Sequence, residues 1–214
     1  MHEFKLLETC LYTDTIYLLN YHLQRLYNSA KYFGFKFHPE TIAKSLMKNF
    51  LPNSCVRLTL DKDGNLEILN KSMQNMPLFT QNNKAKVFID QDNIDINLKQ
   101  FFLHKTTYRQ HYDIHINKFK YNANIIEDFT DILLCNNGYI TEGTRGNIAI
   151  LDDNNNWYTP NLSNILLNGT LRQYLLYYKN LQCKNITLEE VFTAKKVIWF
   201  NSLRGIWECD VNLG

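Results

Sequence analysis

The chain has 214 residues, of which 45% are hydrophobic, 14% are aromatic and 21% are charged. This apolar content argues against a disordered chain and suffices for a large core, while a net charge of +2 excludes a strongly basic nucleic-acid-binding surface. There is no run of about 18 apolar residues that predicts a membrane helix, and the start MHEFKLLETC lacks a signal peptide, so we expect a cytoplasmic protein.

The first half of the chain predicts strands mixed with two helices. Apolar residues at helical spacing begin at Leu19, and Gly34 ends that run. The runs VRLTL and LEIL flank a turn that contains Gly64 and therefore predict a hairpin. The other predicted elements are strands at Glu3–Tyr12, Ile16–Leu19 and Lys86–Asp90, and a helix at Pro39–Phe50.

The second half is richer in strands. A short apolar strand is predicted at Phe101–His104, directly before Lys105. Further strands are predicted at Phe129–Cys135, Tyr139–Thr141, Asn147–Leu151, Val197–Phe200 and Ile206–Val211, and helices at Tyr108–Phe119, Leu167–Tyr178 and Leu188–Thr193. Because helices are interspersed and do not alternate strictly with strands, the pattern favours an α+β fold over a doubly wound sheet.

Cysteine and histidine patterns give no metal site. The five cysteines are far apart and contain no CxxC motif, which predicts free thiols. His111 and His115 share a helical face at spacing i, i+4, but we expect an exposed helix surface there and no metal.

Three features of the sequence are candidates for catalytic or ligand-binding sites. Lys105 follows an apolar run, where a partly dehydrated amine becomes a nucleophile; from this feature alone a surface lysine is the preferred interpretation. Glu142 stands between predicted strands and is followed by Gly143 and Gly146, which indicate either close approach of a ligand or an ordinary glycine-containing loop.

The third feature is the helix start at Gly169, where exposed N–H groups and the helix dipole suit a phosphate. Arg25, on the first predicted helix, is a candidate to supply a guanidinium to the same phosphate. A helix start without a ligand and an exposed arginine remain the commoner alternatives.

The order of several motifs along the chain is more informative than any one motif alone. LHKTTYRQHY, ITEGTRGNIAI, LLNGTLRQYLL and FNSLRGI follow LLETCLY and YHLQRLYNSAKYFGF in the chain. This ordered set, from about Leu6 to Ile206, resembles the fold-type IV pyridoxal-phosphate (PLP) enzymes, the class IV aminotransferases. Within them, HKTT-x-R-x-x-Y and NSLRG are most similar to 4-amino-4-deoxychorismate lyases, in particular the lyase domains fused to aminobenzoate synthases.

The resemblance implies a role for each matching residue. Lys105 matches the Schiff-base lysine, Glu142 the carboxylate that binds the pyridine nitrogen, and Arg25 the phosphate-binding arginine. Thr9 matches a catalytic hydroxyl near the reacting carbons. The remaining matches are Asn147, Gly169, Thr170 and Leu171 on the cofactor side, and Arg109, Ser202 and Leu203 on the substrate side. The family's usual proline in the phosphate-helix motif is Asn168 here.

The resemblance also implies the reaction. As a lyase, the protein would release pyruvate and 4-aminobenzoate for folate synthesis, with Lys105 as general base. The alternatives are an aminotransferase for branched-chain or D-amino acids and a non-catalytic cofactor-binding protein. The implied architecture is a homodimer with a small N-terminal α/β sandwich domain (1–95), a larger barrel-like β domain with helices (96–214), and the cofactor in the cleft between them.

Overall fold

The computed structural model describes residues 3–73, 84–123 and 130–213. The chain divides into two compact units: Met1–Pro77 with His104–Tyr108, and Leu78–Leu103 with Arg109–Gly214. This division differs from the predicted boundary after residue 95. The strand before that boundary pairs within the sheet of the second unit, whereas the segment around Lys105 pairs with the first strand of the chain.

The first unit is built on a three-stranded antiparallel sheet. Its strands, in spatial order, are β1 (Leu6–Tyr12), β2 (Ser54–Leu60) and β3 (Leu66–Ser72). The described part of this unit also contains two helices, α1 (Leu19–Phe33) and α2 (Pro39–Leu46). Their apolar faces share one core with the sheet, which includes Leu6, Leu26, Ala30, Ile42, Val56 and Leu58.

Most predictions for this unit are confirmed, with one error. Helix α1 ends at Gly34, whose φ of 70° is the left-handed conformation that favours glycine. The predicted strand Ile16–Leu19 is wrong, because only an isolated bridge joins Ile16 to Tyr12 and α1 begins at Leu19. Leu18, at φ 56°, turns the chain into the helix.

The second unit is built on a nine-stranded, curled mixed sheet. Its strands are β4 (Ala85–Asn93), β5 (Thr130–Asn136), β6 (Tyr139–Gly143), β7 (Asn147–Leu151), β8 (Trp157–Pro160), β9 (Leu181–Lys184), β10 (Ile186–Thr187), β11 (Lys196–Asn201) and β12 (Gly205–Leu213). They lie in the order β10-β6-β5-β4-β12-β11-β7-β8-β9. Strand β4 pairs in parallel with both β5 and β12, and β8 pairs in parallel with β9.

The described residues of the second unit form four α-helices: α3 (Lys99–Leu103), α4 (Gln110–Ala123), α5 (Thr170–Tyr178) and α6 (Leu188–Thr193). The prediction of a strand at Phe101–His104 is wrong, because these apolar residues belong largely to α3. Such a short apolar run does not distinguish helix from strand by its period. Phe129, the first residue of one predicted strand, lies outside the described residues.

The mixture of helices with a small and a large sheet confirms the predicted α+β class. The main core of the second unit lies against the large sheet and contains Val87, Ile89, Leu133, Ile148, Trp199 and Trp207. None of the helices in the described parts of the chain is long and apolar enough to cross a membrane.

Candidate active site

Lys105 lies in the first unit, on a segment fixed against β1. Its backbone carbonyl accepts a hydrogen bond from the Leu7 N–H at 3.0 Å, and Thr106 forms an antiparallel bridge with Leu6. Thr107 completes the anchor, since its N–H donates to the Lys5 carbonyl at 2.8 Å and its hydroxyl accepts from the Lys5 N–H at 2.9 Å. The two threonines after the lysine therefore hold its backbone beside the strand that carries Thr9.

Arg25 is held by a carboxylate that sequence reasoning did not single out. Its Nε and Nη2 donate to the two oxygens of Glu8 at 2.8 and 2.6 Å, a bidentate pair. His22, one turn earlier on α1, contacts the same carboxylate through Nδ1 at 2.6 Å. The alternative of an exposed arginine is wrong, because the Arg25 side chain is only 10% exposed.

Burial alone would raise the pKa of Glu8, but the charges and hydrogen bonds of Arg25 and His22 outweigh it and lower that pKa to about 2. Glu8 is therefore ionised at neutral pH. Two residues along the same strand, burial raises the pKa of the Cys10 thiol well above its usual value. Cys10 is thus a buried thiol and a poor nucleophile.

Glu142, in the second unit, is a buried carboxylate at the end of β6 and is 2% exposed. Its Oε1 accepts hydrogen bonds from the Tyr112 hydroxyl at 2.7 Å and from the Leu167 N–H at 3.0 Å. Its Oε2 lies 3.5 Å from Nδ2 of Asn147, which also donates to the Leu167 carbonyl at 3.0 Å. The carboxylate is therefore oriented from two sides.

Asn147 also closes onto the start of α5. A Cβ added at Gly169 would lie 2.0 Å from Oδ1 of Asn147, so only glycine fits there without displacing the amide. The first intrahelical hydrogen bond runs from the Gln173 N–H to the Gly169 carbonyl. The N–H groups of Thr170 and Leu171 precede it and point toward the N-terminal end of the helix.

Asn168, at the position of the family's proline, binds a buried arginine. Its Oδ1 accepts from Nη1 of Arg172 at 2.8 Å, while Nη2 of Arg172 donates to the Pro160 carbonyl at 2.8 Å. Arg172 is 1% exposed. This side chain connects the start of α5 to strand β8 and so fixes the direction of the helix.

The turn between β6 and β7 packs tightly on Asp131 and Trp199. A Cβ at Gly143 would lie 2.5 Å from Oδ2 of Asp131, and a Cβ at Gly146 would lie 2.4 Å from Cε2 of Trp199. The Trp199 indole in turn donates to Oδ2 of Asp131 at 2.7 Å. The glycines thus permit close approach of protein groups, and this packing fixes the ends of the turn, from which Glu142 and Asn147 project.

Two predicted substrate-side features are tied to the same turn. Arg109 donates from Nη2 to the Thr144 carbonyl at 2.9 Å. Asn201 donates to the Arg145 carbonyl at 3.0 Å and accepts through Oδ1 from the backbone N–H of Leu203 at 3.0 Å. Ser202, between them, is buried at 8% exposure. The structure therefore places Arg109 and the Ser202–Leu203 loop next to the turn that follows Glu142.

The predicted residues fall into two groups. Lys105, Thr9 and Arg25 lie in the first unit, and all the others lie in the second, where Glu142, Asn147 and the start of α5 are in contact. Sequence reasoning missed Glu8, Tyr112 and Asp131. Only Tyr112 had a sequence signal, as the last residue of HKTT-x-R-x-x-Y; the other two are recognised by contacts that join distant segments.

His111 and His115 differ from the expected exposed helix face, because they are 3% and 7% exposed. His115 contacts Asp90 at 2.8 Å, and His111 packs in an edge-to-face arrangement with Phe102. Burial lowers the pKa of His111 to about 3. No cluster of three or more potential metal ligands occurs among residues 3–73, 84–123 and 130–213.

The residues present fit the cofactor implied by the resemblance. A buried, oriented carboxylate suits the protonated pyridine nitrogen of PLP, and a helix N-terminus beside an obligatory glycine suits its phosphate. PLP supplies an electron sink for the electrons left on a substrate carbon when a proton is removed.

Comparison with known proteins agrees with this chemistry. A Schizosaccharomyces pombe protein provisionally named aminodeoxychorismate lyase is 28% identical over 214 residues, covering 96% of this chain and 89% of that protein. The structure of a provisionally named amino-acid aminotransferase from Mesorhizobium loti has a TM-score of 0.83 at 25% identity, covering 98% of this chain and 100% of that one.

A third similar structure contains the cofactor. It is the PLP-bound form of a hypothetical aminotransferase from Mycobacterium tuberculosis, with a TM-score of 0.79 at 15% identity, covering 98% of this chain and 81% of that one. The sequence profile described as amino-transferase class IV matches residues 5–210. The chain therefore belongs to the class IV aminotransferase family and is a PLP-dependent enzyme, either a lyase or an aminotransferase.

Proposed function

We propose that this enzyme is a 4-amino-4-deoxychorismate lyase that produces 4-aminobenzoate and pyruvate and so serves folate synthesis. The observation that carries the proposal is the hydrogen bond from the arginine of the lyase-like motif HKTT-x-R-x-x-Y to the turn that follows Glu142. Its arginine, Arg109, binds the Thr144 carbonyl and lies 4.9 Å above the ring of Tyr112. The likeness to the fission-yeast protein supports the same activity.

In this proposal Lys105 would hold the cofactor and would act as general base toward the substrate. It takes the proton from the substrate carbon that bears the amine. The carbon–oxygen bond to the enolpyruvyl group then breaks, and aromatisation of the ring drives the reaction. Thr9 relays the proton that Lys105 removed to the methylene carbon of the departing group, which leaves as pyruvate.

The other site residues bind and orient the cofactor or the substrate. Glu142 holds the proton on the cofactor's ring nitrogen, and Asn147 keeps that carboxylate in place beside α5. Arg25, aligned by Glu8, and the N–H groups of Thr170 and Leu171 bind the phosphate. Arg109, Ser202 and Leu203 form the substrate side.

The same lysine, glutamate and phosphate residues would serve an aminotransferase, and the likeness to the Mesorhizobium loti structure favours that second candidate. The deciding experiment incubates purified, PLP-loaded protein with 4-amino-4-deoxychorismate and follows both products. We expect 4-aminobenzoate and pyruvate in equal amounts. Amino-group transfer from L- or D-amino acids to a 2-oxo acid, with neither product formed, would assign the aminotransferase activity; a protein that binds PLP but does neither would be a non-catalytic member.

Lys105→Ala tests the central assignment, with Lys71→Ala, an exposed lysine on β3, as the matched control. Borohydride reduction of the PLP-loaded protein should link the cofactor covalently to Lys105 in the wild type and the control. A cofactor-labelled lysine in Lys105→Ala would contradict the assignment.

We also propose a cytoplasmic homodimer. All five cysteines are free thiols, three of them buried, as is usual in a reducing compartment. The dimer is implied by the family resemblance, and a monomeric sedimentation profile at micromolar concentration would contradict it.

A further inference from the structure

The Tyr112 hydroxyl makes a contact that the proposed function does not explain. It donates to Oε1 of Glu142 at 2.7 Å, and both side chains are buried. The Leu167 N–H donates to the same oxygen at 3.0 Å. Two donors that converge on one oxygen fix the plane of the carboxylate and set the direction of Oε2.

Tyr112 is itself held rigidly. Its ring packs edge-to-face against Phe102, with centroids 5.4 Å apart and an interplanar angle of 81°. The guanidinium of Arg109 lies 4.9 Å from its ring centroid, and its backbone N–H donates to the Arg109 carbonyl at 2.8 Å. The hydroxyl therefore has little freedom to choose another acceptor.

The surroundings of Tyr112 also favour the protonated phenol, which is the form that donates. Burial, followed by the neighbouring charge of Glu142, raises the pKa of Tyr112 well above its usual value. A buried phenol that served packing alone would satisfy its hydroxyl with any backbone carbonyl. This hydroxyl instead contacts Glu142, the carboxylate that binds the cofactor's ring nitrogen in the proposed function.

We propose that Tyr112 is a positioning residue for Glu142, and that its hydrogen bond to Oε1 directs Oε2 toward the protonated ring nitrogen of the cofactor. The inference rests on the proposed role of Glu142 and deepens it. It predicts that protonation of the ring nitrogen depends on a hydroxyl that does not touch the cofactor. Loss of the hydroxyl should lower kcat more than it changes KM.

The test is Tyr112→Phe, which keeps the ring and removes only the hydroxyl. Protein loaded with PLP labelled with ¹⁵N in the ring reports the protonation of that nitrogen by NMR, independently of turnover. We expect its resonance to move toward that of neutral pyridine and kcat to fall about 10-fold, the loss of one hydrogen bond to a charged group. KM and the cofactor Kd should stay within about 2-fold.

Two variants serve as controls. Tyr12→Phe removes the hydroxyl of another buried tyrosine, one in the first unit, and should leave the nitrogen resonance unchanged. Glu142→Gln should move the resonance further than Tyr112→Phe. If Tyr112→Phe does not fold, fluorinated tyrosines at position 112 keep the hydroxyl and make it a stronger donor, and the resonance should then shift progressively with phenol acidity.

The outcomes separate this inference from the proposed function. If Glu142→Gln moves the resonance and Tyr112→Phe does not, Tyr112 serves packing alone and the inference is wrong. A lower cofactor content in Tyr112→Phe with an unmoved resonance leads to the same conclusion. If Glu142→Gln itself leaves the resonance unchanged, it is the role of Glu142 in the proposed function that fails.

Discussion

Replacing Asp131 with asparagine should destabilise the second unit, because its carboxylate accepts four hydrogen bonds. Oδ1 accepts from the Thr144 hydroxyl at 2.5 Å and from the Ile132 N–H at 2.9 Å. Oδ2 accepts from the Trp199 indole at 2.7 Å and from the Arg145 N–H at 3.1 Å. Asp131 is 4% exposed, so water cannot replace these bonds.

The size of the destabilisation depends on which of the two carboxylate oxygens is replaced by the amide NH₂ group of asparagine. At the Oδ2 position the new NH₂ would face two N–H groups, neither of which can accept. At the Oδ1 position it faces the Ile132 N–H and the Thr144 hydroxyl, which can rotate and accept, so this orientation is favoured. One buried N–H then loses its acceptor, at about 1–3 kcal/mol, and two remaining bonds lose their charge, at about 1 kcal/mol each. Asp131→Asn should therefore cost about 3–5 kcal/mol.

Urea unfolding followed by tryptophan fluorescence measures this loss, since Trp157, Trp199 and Trp207 all lie in the second unit. The matched control is Asp153→Asn, an exposed aspartate of the same unit, which should unfold like the wild type. A loss below about 1 kcal/mol in Asp131→Asn would refute the hydrogen-bond accounting. It would mean that the turn relaxes without cost when the carboxylate is neutralised.

Three further predictions concern other parts of the structure. Gly169→Ala would place a methyl group 2.0 Å from Oδ1 of Asn147, so the cofactor Kd in a fluorescence titration should rise about 10-fold or more; an unchanged Kd would show that the amide moves aside freely. Glu8→Gln leaves Arg25 buried without its counter-charge and should destabilise the first unit by about 3–5 kcal/mol, seen as faster hydrogen exchange in β1. Because the pKa of Glu8 is lowered to about 2 from 4.5, its stabilisation is present above pH 4.5 and is lost as the pH falls toward 2. The pKa of His111 is lowered to about 3 from 6.5, so the free energy of unfolding should decline as the pH falls from 6.5 toward 3, and His111→Phe should flatten that decline.

Local signals predicted the elements whose structure depends on nearby residues. Apolar spacing and Gly34 identify α1, the turn at Gly64 identifies the β2–β3 hairpin, and Gly169 identifies the start of α5. The failures have local causes too. The apolar run at Phe101–His104 is too short to show a period, and Leu18 adopts a positive φ that a leucine rarely takes.

The sequence by itself determined the α+β class, the family and the identity of the residues proposed to hold the cofactor, because these depend on residue type and order along the chain. Only the tertiary structure showed that Glu8 pairs with Arg25, that the Tyr112 hydroxyl donates to Glu142, and that Asp131 and Trp199 pack against the turn beyond it. Asp131 and Trp199 are 68 residues apart. Such contacts form when the packing of distant strands and helices brings buried polar groups together, and each buried polar group needs a hydrogen-bond partner. The neighbouring sequence does not specify which group that partner is.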